Sequence, residues 1–410
     1  MGRNRLLPLL QLIPLLALLA GNAVAADHIE GTSFWDRLQS EPLQIHGFAS
    51  LTGLKTSANQ FYGNSRNWSF DAIEVGLNAS YRLNSRILFA GQVIVRKAGD
   101  MYDGTPSLDY GLIDLTLNET DTRLLGVRLG RLKNPLGLYN ETRDVPFTRP
   151  SIFLPQSVYF DKARNLLLST DGLMFYSEFM TGHGHYSLTL GGGQAVTDEN
   201  LEWIFLGADG PGKLGPQGIS WIGSLWYTTP AERLRLGVSG VSTTLSYRPG
   251  GWEDPLGAGQ TSFTYLFLSA QYNTEHWTFS SEYARLPMHY RNYGPNMPYS
   301  NFDGEGYYLQ AAYRLRPELE LLLRYEEGFT DRFSRDGQAL SDQTGGYIPR
   351  FDFYSHAWTA GLTWNVNRYL MLRAQYTRNN GTYSLSVREN DPAGLVKDWD
   401  LFALQVAVRF

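Results

Sequence analysis

Apolar and polar residues alternate one by one through several stretches of this chain. At its C-terminal end Phe402, Leu404, Val406, Val408 and Phe410 fall on one side, and Ala403, Gln405, Ala407 and Arg409 on the other. The same two-residue period sets Ile73, Val75, Leu77, Ala79, Tyr81 and Leu83 against Glu74, Gly76, Asn78, Ser80 and Arg82. It recurs over 307–315, 319–326 and 370–376, where Gln310, Arg314, Glu320, Arg324, Glu326 and Arg373 share the polar side. Successive side chains of a strand point to opposite faces, whereas a helix would scatter these charges among the apolar residues. Sixteen strands are predicted, near 43–53, 68–83, 86–97, 107–118, 121–131, 171–181, 184–194, 218–228, 232–247, 260–273, 276–288, 304–316, 318–330, 352–366, 369–380 and 397–410.

The connections between them alternate short and long. Asn84-Ser85, Glu119-Thr120, Gly182-His183, Thr274-Glu275 and Asn367-Arg368 are tight turns, and the intervening connections are longer, the longest covering 132–170. Short turns at one end and long loops at the other are the pattern of an outer-membrane barrel, with the turns periplasmic and the loops extracellular. Closing the sheet on itself removes the open edges that lipid does not tolerate. The fold class expected is therefore all-β, a transmembrane antiparallel up-and-down β-barrel. Tyr81, Trp226, Tyr227, Trp277, Tyr313, Trp364 and Tyr369 at the turn-side strand ends are expected to form an aromatic girdle.

Composition narrows this further. Arg3 and Arg5 precede an apolar run, Leu6 to Ala20, and small residues end at Ala25-Ala26. These are the parts of a cleaved secretory signal peptide, expected over 1–26, and 27–42 is read as a short periplasmic lead. No later run is long and apolar enough for a membrane helix. With no cysteine the chain has no disulfide to hold it. Its 35 Lys+Arg face 40 Asp+Glu, and the leader takes two of the arginines, so the balance argues against nucleic acid as a partner. The 25 Tyr, 21 Phe, 10 Trp and 42 Gly fit a membrane barrel; composition alone also admits a soluble solenoid or sandwich. The inner face, with its Gly, Ala, Ser, Gln and Arg, favours a wet lumen. Gly76, Gly126, Gly237 and Gly361 are read as marks of open space there.

The terminal Phe410, preceded by alternating apolar residues, resembles the signature read by the bacterial outer-membrane assembly machinery. The run Gly130-Arg131-Leu132-Lys133-Asn134-Pro135-Leu136-Gly137 resembles the segment that leads into the constricting third loop of sixteen-stranded, phosphate-selective-type porins. That resemblance implies a homotrimeric, water-filled channel for small hydrophilic solutes, set in outer-membrane lipid and lipopolysaccharide. The chain departs from the lysine-rich pores of phosphate-selective members, having six lysines.

The 132–170 connection is too apolar to stay unpacked in water, and the lumen is the nearest surface for Leu136, Phe153, Val158, Phe160 and Leu166. It is expected to fold inward and narrow the pore; the alternative is an outward cap. From it Asp144, Arg149, Asp161 and Arg164 are candidate constriction residues, and from the wall Arg96, Arg128, Arg324, Arg373 and Glu326. Opposed rings of charge set ion selectivity, and the basic excess on the inner face suggests a mild preference for anions or carboxylates. His183 and His185 form an H-x-H pair with no further ligand, Asn301-Phe-Asp303-Gly-Glu305 lacks a calcium-loop spacing, and no G-x-S-x-G occurs. No cofactor, metal or catalytic residue is therefore assigned. Against a passive channel stand an outer-membrane enzyme, a plugged structural or adhesive barrel, and a transporter of hydrophobic compounds.

Overall fold

A computed structural model describes residues 42–295, 297 and 300–410. The expected leader lies outside these residues, as does the expected lead apart from Pro42. Sixteen strands form a closed barrel: β1 Leu43–Thr56, β2 Ala72–Arg82, β3 Ile87–Ala98, β4 Ser107–Thr120, β5 Arg123–Lys133, β6 Ser169–Thr181, β7 Gly184–Ala195, β8 Ser220–Thr228, β9 Leu234–Arg248, β10 Gln260–Asn273, β11 Trp277–Arg291, β12 Ser300–Arg316, β13 Leu319–Phe329, β14 Tyr354–Asn365, β15 Leu370–Gly381 and β16 Asp398–Arg409. Each pairs antiparallel with its sequence neighbours. The barrel closes where β1 pairs with β16, from Phe48 opposite Arg409 to Thr56 opposite Leu401. Two short strands, Tyr102–Asp103 and Lys213–Pro216, add to β3 and β9 from the loops.

The alternation read from sequence decides which way each strand faces. Leu77, Leu309, Leu323, Phe402, Leu404 and Val406 are exposed on the outside, while Glu74, Gln310, Arg324, Arg373 and Gln405 are buried inside. A slip of one residue would exchange these sets, so the pattern fixes the register. The seven girdle aromatics were expected at the membrane interface of the turn end. Trp277 meets Tyr313 with ring centres 4.6 Å apart and Tyr227 meets Tyr186 at 5.0 Å, the planes tilted by 44° and 40°. Trp226 does not belong with them: it points inward, buried, with its ring over Gly237 and under the Arg235 guanidinium.

Trp226 is one instance of a repeated joint. Phe48 lies opposite Gly76, Tyr176 opposite Gly126, and Trp226 opposite Gly237, and each ring occupies the space a Cβ on the glycine would take. The inner glycines at 76, 126 and 237 are thus seats for cross-strand rings. They do not mark open lumen, which corrects the expectation. At Gly361 such a Cβ would stand 3.5 Å from Leu322, in ordinary van der Waals contact, so this position is uncrowded without marking open lumen.

The longest loop, 134–168, runs inside the barrel. Its Leu136, Leu154, Val158, Phe160, Leu166 and Leu167 pack in one cluster with inward residues of the wall, among them Val241, Leu245, Phe263, Tyr265, Phe267 and Tyr308. Each such side chain gains about 1.5–3 kcal/mol on leaving water, which is why the segment enters the barrel. On β10 both faces are apolar, since inward Phe263, Tyr265 and Phe267 alternate with outward Leu266 and Leu268.

Candidate functional site

Glycine and proline shape the entry of the inward loop. Pro135 follows β5, and Gly137 adopts φ +58°, a conformation side-chain-bearing residues rarely take. The turn aims two backbone amides at the far wall. Gly137 N donates to Ser239 Oγ at 2.8 Å, and Leu138 N to Glu282 Oε1 at 2.8 Å. Glu282, on β11, also accepts from Tyr159 Oη at 2.5 Å, Tyr308 Oη at 2.8 Å and Ser269 Oγ at 2.5 Å. A buried carboxylate with four donors is well satisfied, and it serves as an anchor for the loop.

A second anchor lies on β13 and β15. Arg324 donates to Ser151 Oγ at 2.9 Å and to the Phe153 carbonyl at 3.2 Å. Glu326 accepts from Ser157 N at 2.9 Å and pairs with Arg324 at 3.3 Å. Arg373 donates to the carbonyls of Ser151, at 3.1 Å, and Arg149, at 2.5 Å, and Gln375 Oε1 accepts from Phe153 N at 3.1 Å. Arg324 is only 1% exposed and Arg373 6%. Although they lie on the inner wall as expected, the loop covers both. They hold it in place and do not face open lumen.

Five of the six other expected charges meet in one network between the loop and strands β2–β5. Glu74 receives Arg149 at 2.6 Å, Arg164 at 3.2 Å and Arg96 at 3.5 Å. Asp161 receives Arg143 at 3.2 Å, Arg96 at 3.3 Å and Tyr62 Oη at 2.7 Å. Asp144 pairs with Lys133 and Arg164, and Lys133 also pairs with Asp109 at 2.5 Å. Five cations and four carboxylates are held together, so each charge is compensated within hydrogen-bonding distance, as burial requires. The expected residues Arg96, Asp144, Arg149, Asp161 and Arg164 thus come together. Arg128 stands apart. It pairs with Asp114 at 2.9 Å, lies over the Tyr176 ring and keeps 38% of its side chain exposed. Glu141, exposed on the short turn Asn140–Thr142 of the loop, feels the charge of Arg128 and Arg235. Of these three charged groups Glu141 is exposed, and Arg128 and Arg235 are half-buried.

Tyr62 and Asp109 were not legible as site residues. Tyr62 comes from the loop after β1, which carries no period. Asp109 sits at a β-bulge, where Gln92 faces Tyr110 but Val93 faces Leu108, so parity counted along β4 misplaces it. In the porin-like run, Arg131 pairs with Asp171 at 2.7 Å while Lys133 turns to the network.

No protein-family model matches the chain, and no curated protein does. Solved structures do. OmpT of Vibrio cholerae, in vitro folded and in its trimer form, superposes with a TM-score of 0.55 at 11% identity over 90% of this chain and 99% of that one. The outer membrane channel DcaP of Acinetobacter baumannii gives 0.57 at 9% identity, over 90% and 97%. An anion-selective porin from Comamonas acidovorans gives 0.53 at 13%, over 90% and 98%. The chain therefore has the closed sixteen-stranded fold of porin-like outer-membrane barrels.

Proposed function

We propose that this protein is an outer-membrane channel through which small hydrophilic solutes and ions diffuse passively, narrowed by the loop at 134–168. The observation that carries the reading is that loop's position: it lies inside a barrel of sixteen strands, a number suited to a water-filled lumen, and it is bonded to the wall from β2 to β15. The short turns are assigned to the periplasm and the long loops to the outside, after export directed by residues 1–26. The apolar outer belt meets lipid and lipopolysaccharide, and Phe410 is the contact for the assembly machinery. A homotrimer fits the trimer form in which the similar OmpT was described. The excess of cations in the network, together with accessible Arg128 and Arg235, supports a mild preference for anions, in keeping with the similar anion-selective porin. None of these residues is assigned a catalytic role.

A plugged structural barrel is the second reading, and specific contacts favour it: the loop covers Arg324 and Arg373, and rings fill the inner glycine positions. Reversal potential in a salt gradient across a planar bilayer tests the channel reading. Steady single-channel steps with an anion-directed reversal support it, and folded protein that passes no current supports the plug.

A further inference from the structure

At the loop end of the barrel, next to the part of the inward loop that carries Asp161 and Arg164, lies a recess of about 200 Å³. Its walls come from three directions. The loop gives Phe160, Ala163 and Leu166, the barrel gives Phe263, Met288 and Phe302, and the short helix Asn200–Leu206 gives Phe205. The rings are arranged in pairs. Phe160 stacks on Tyr265 at 5.9 Å with planes 19° apart, Phe205 stacks on Phe263 at 5.8 Å and 21°, and Tyr383 meets Phe160 edge-on at 5.5 Å. Such a lining is unlike the polar inner wall of a simple aqueous pore. Leu286, Met288 and Phe302 stay partly exposed, so the recess is reached from the loop end.

One charged group lines it. Lys162 Nζ donates to the Tyr383 carbonyl at 2.5 Å and lies 5.0 Å from the centre of the Tyr383 ring. An ammonium has three donors, and among the described residues no carboxylate pairs with this one. Asp352, whose charge it feels, accepts instead from Thr382 Oγ1 at 2.8 Å. A mostly apolar recess with one oriented polar group is the usual form of a small-molecule site. Its volume is below the roughly 300–1,000 Å³ of drug-sized sites, which limits the occupant to one or two rings.

We propose that this recess binds a small aromatic carboxylate, its ring among Phe160, Phe205, Phe263 and Phe302 and its acid on Lys162. The site does not depend on conduction, because it is built from the loop end of the lumen whether or not a path continues below it.

The test is isothermal titration of the full-length barrel in detergent with 2-naphthoate, with 2-naphthalenemethanol as the uncharged match and acetate as the ring-free match. Saturable one-to-one heat with naphthoate, and none with acetate, is expected. Ala163→Phe fills the recess and abolishes the heat. Lys162→Met keeps the bulk and weakens naphthoate about tenfold, the loss of one charge-assisted contact, while leaving the alcohol unchanged. Heat-modifiable migration shows that each variant is folded. No saturable naphthoate heat in the parent protein, or binding that survives Ala163→Phe, overturns the site. An unaltered preference for naphthoate over the alcohol in Lys162→Met overturns the role of the lysine. Binding without any channel current leaves the site standing and removes the channel reading alone.

Discussion

Glu74→Gln removes one charge from the centre of the buried network while keeping the shape of the side chain. Glu74 receives three guanidinium groups, from Arg149, Arg164 and Arg96, at 2.6, 3.2 and 3.5 Å, and two of those belong to the inward loop. A glutamine offers one acceptor where the carboxylate had two, and turns an amide donor toward cations. Breaking a buried pair from one side costs about 3–5 kcal/mol, because the charges left behind have no counter-charge and no water. The strand ladder of the barrel is untouched, so this cost falls on the docking of the loop. At 1.4 kcal/mol per factor of ten, even 3 kcal/mol raises the displaced-loop population by about a hundredfold. In a planar bilayer the variant is expected to show larger and noisier single-channel steps than the parent. Its reversal potential should move further toward anions, since a negative charge has gone from the constriction. Arg149→Gln in the same chain should return part of the loss, as residues of one network are non-additive. A Glu74→Gln barrel that migrates as folded, with the current amplitude, noise and reversal potential of the parent, would refute the assignment of Glu74 as the clamp of the loop.

Three further outcomes follow from other parts of the molecule. Gly237→Ala must displace the Trp226 ring and is expected to lower the thermal unfolding midpoint, at an overpacking cost of about 1–3 kcal/mol, whereas Gly361→Ala, with its nearest neighbours 3.5 Å off, should leave the midpoint unchanged. Arg128→Gln loses a partly exposed pair with Asp114, worth about 0–1 kcal/mol, so it should shift the reversal potential toward cations with little change in stability. Glu389, in the loop before β16, accepts from Asp100 N at 2.6 Å and Gly63 N at 3.1 Å and so ties three external loops together; burial pushes its carboxyl up to about 7. Its raised value means that the folded loops favour the protonated acid. Their stabilisation is complete below the ordinary carboxylate value of 4.5, falls as pH rises from there to about 7, and changes little above it; limited proteolysis of the loops should therefore quicken between about pH 4.5 and pH 7 and level off beyond, and Glu389→Gln should remove the dependence.

Most of the barrel was legible because lipid outside and water or polar groups inside impose a period that the chain must obey on every strand. The expected and observed β10 coincide, and β2 and β12 differ by four residues at one end. Where the environment ceases to differ between faces, the reading weakens. Trp226 was placed outside on its position near a turn, yet a ring can cross to the inner face when a glycine opposite gives it a seat. The loop could be assigned to the lumen because its own apolar residues need a surface. What it meets there could not, because Glu282, Ser239 and Tyr308 lie on other strands and nothing local marks them as partners. Arg324 and Arg373 show the limit of parity: it fixes the face of a side chain, and the loop then decides whether that face sees water.

On the channel reading, the lumen still conducts past this loop. Single-channel recording of the purified barrel in a planar bilayer, under a salt gradient, tests it most directly. Small steady steps with a reversal potential on the anion side are predicted, since Arg128 and Arg235 both keep part of their surface exposed and both act on the charge of Glu141. A barrel shown folded by heat-modifiable migration that passes no current would contradict the account and leave the plugged reading in its place.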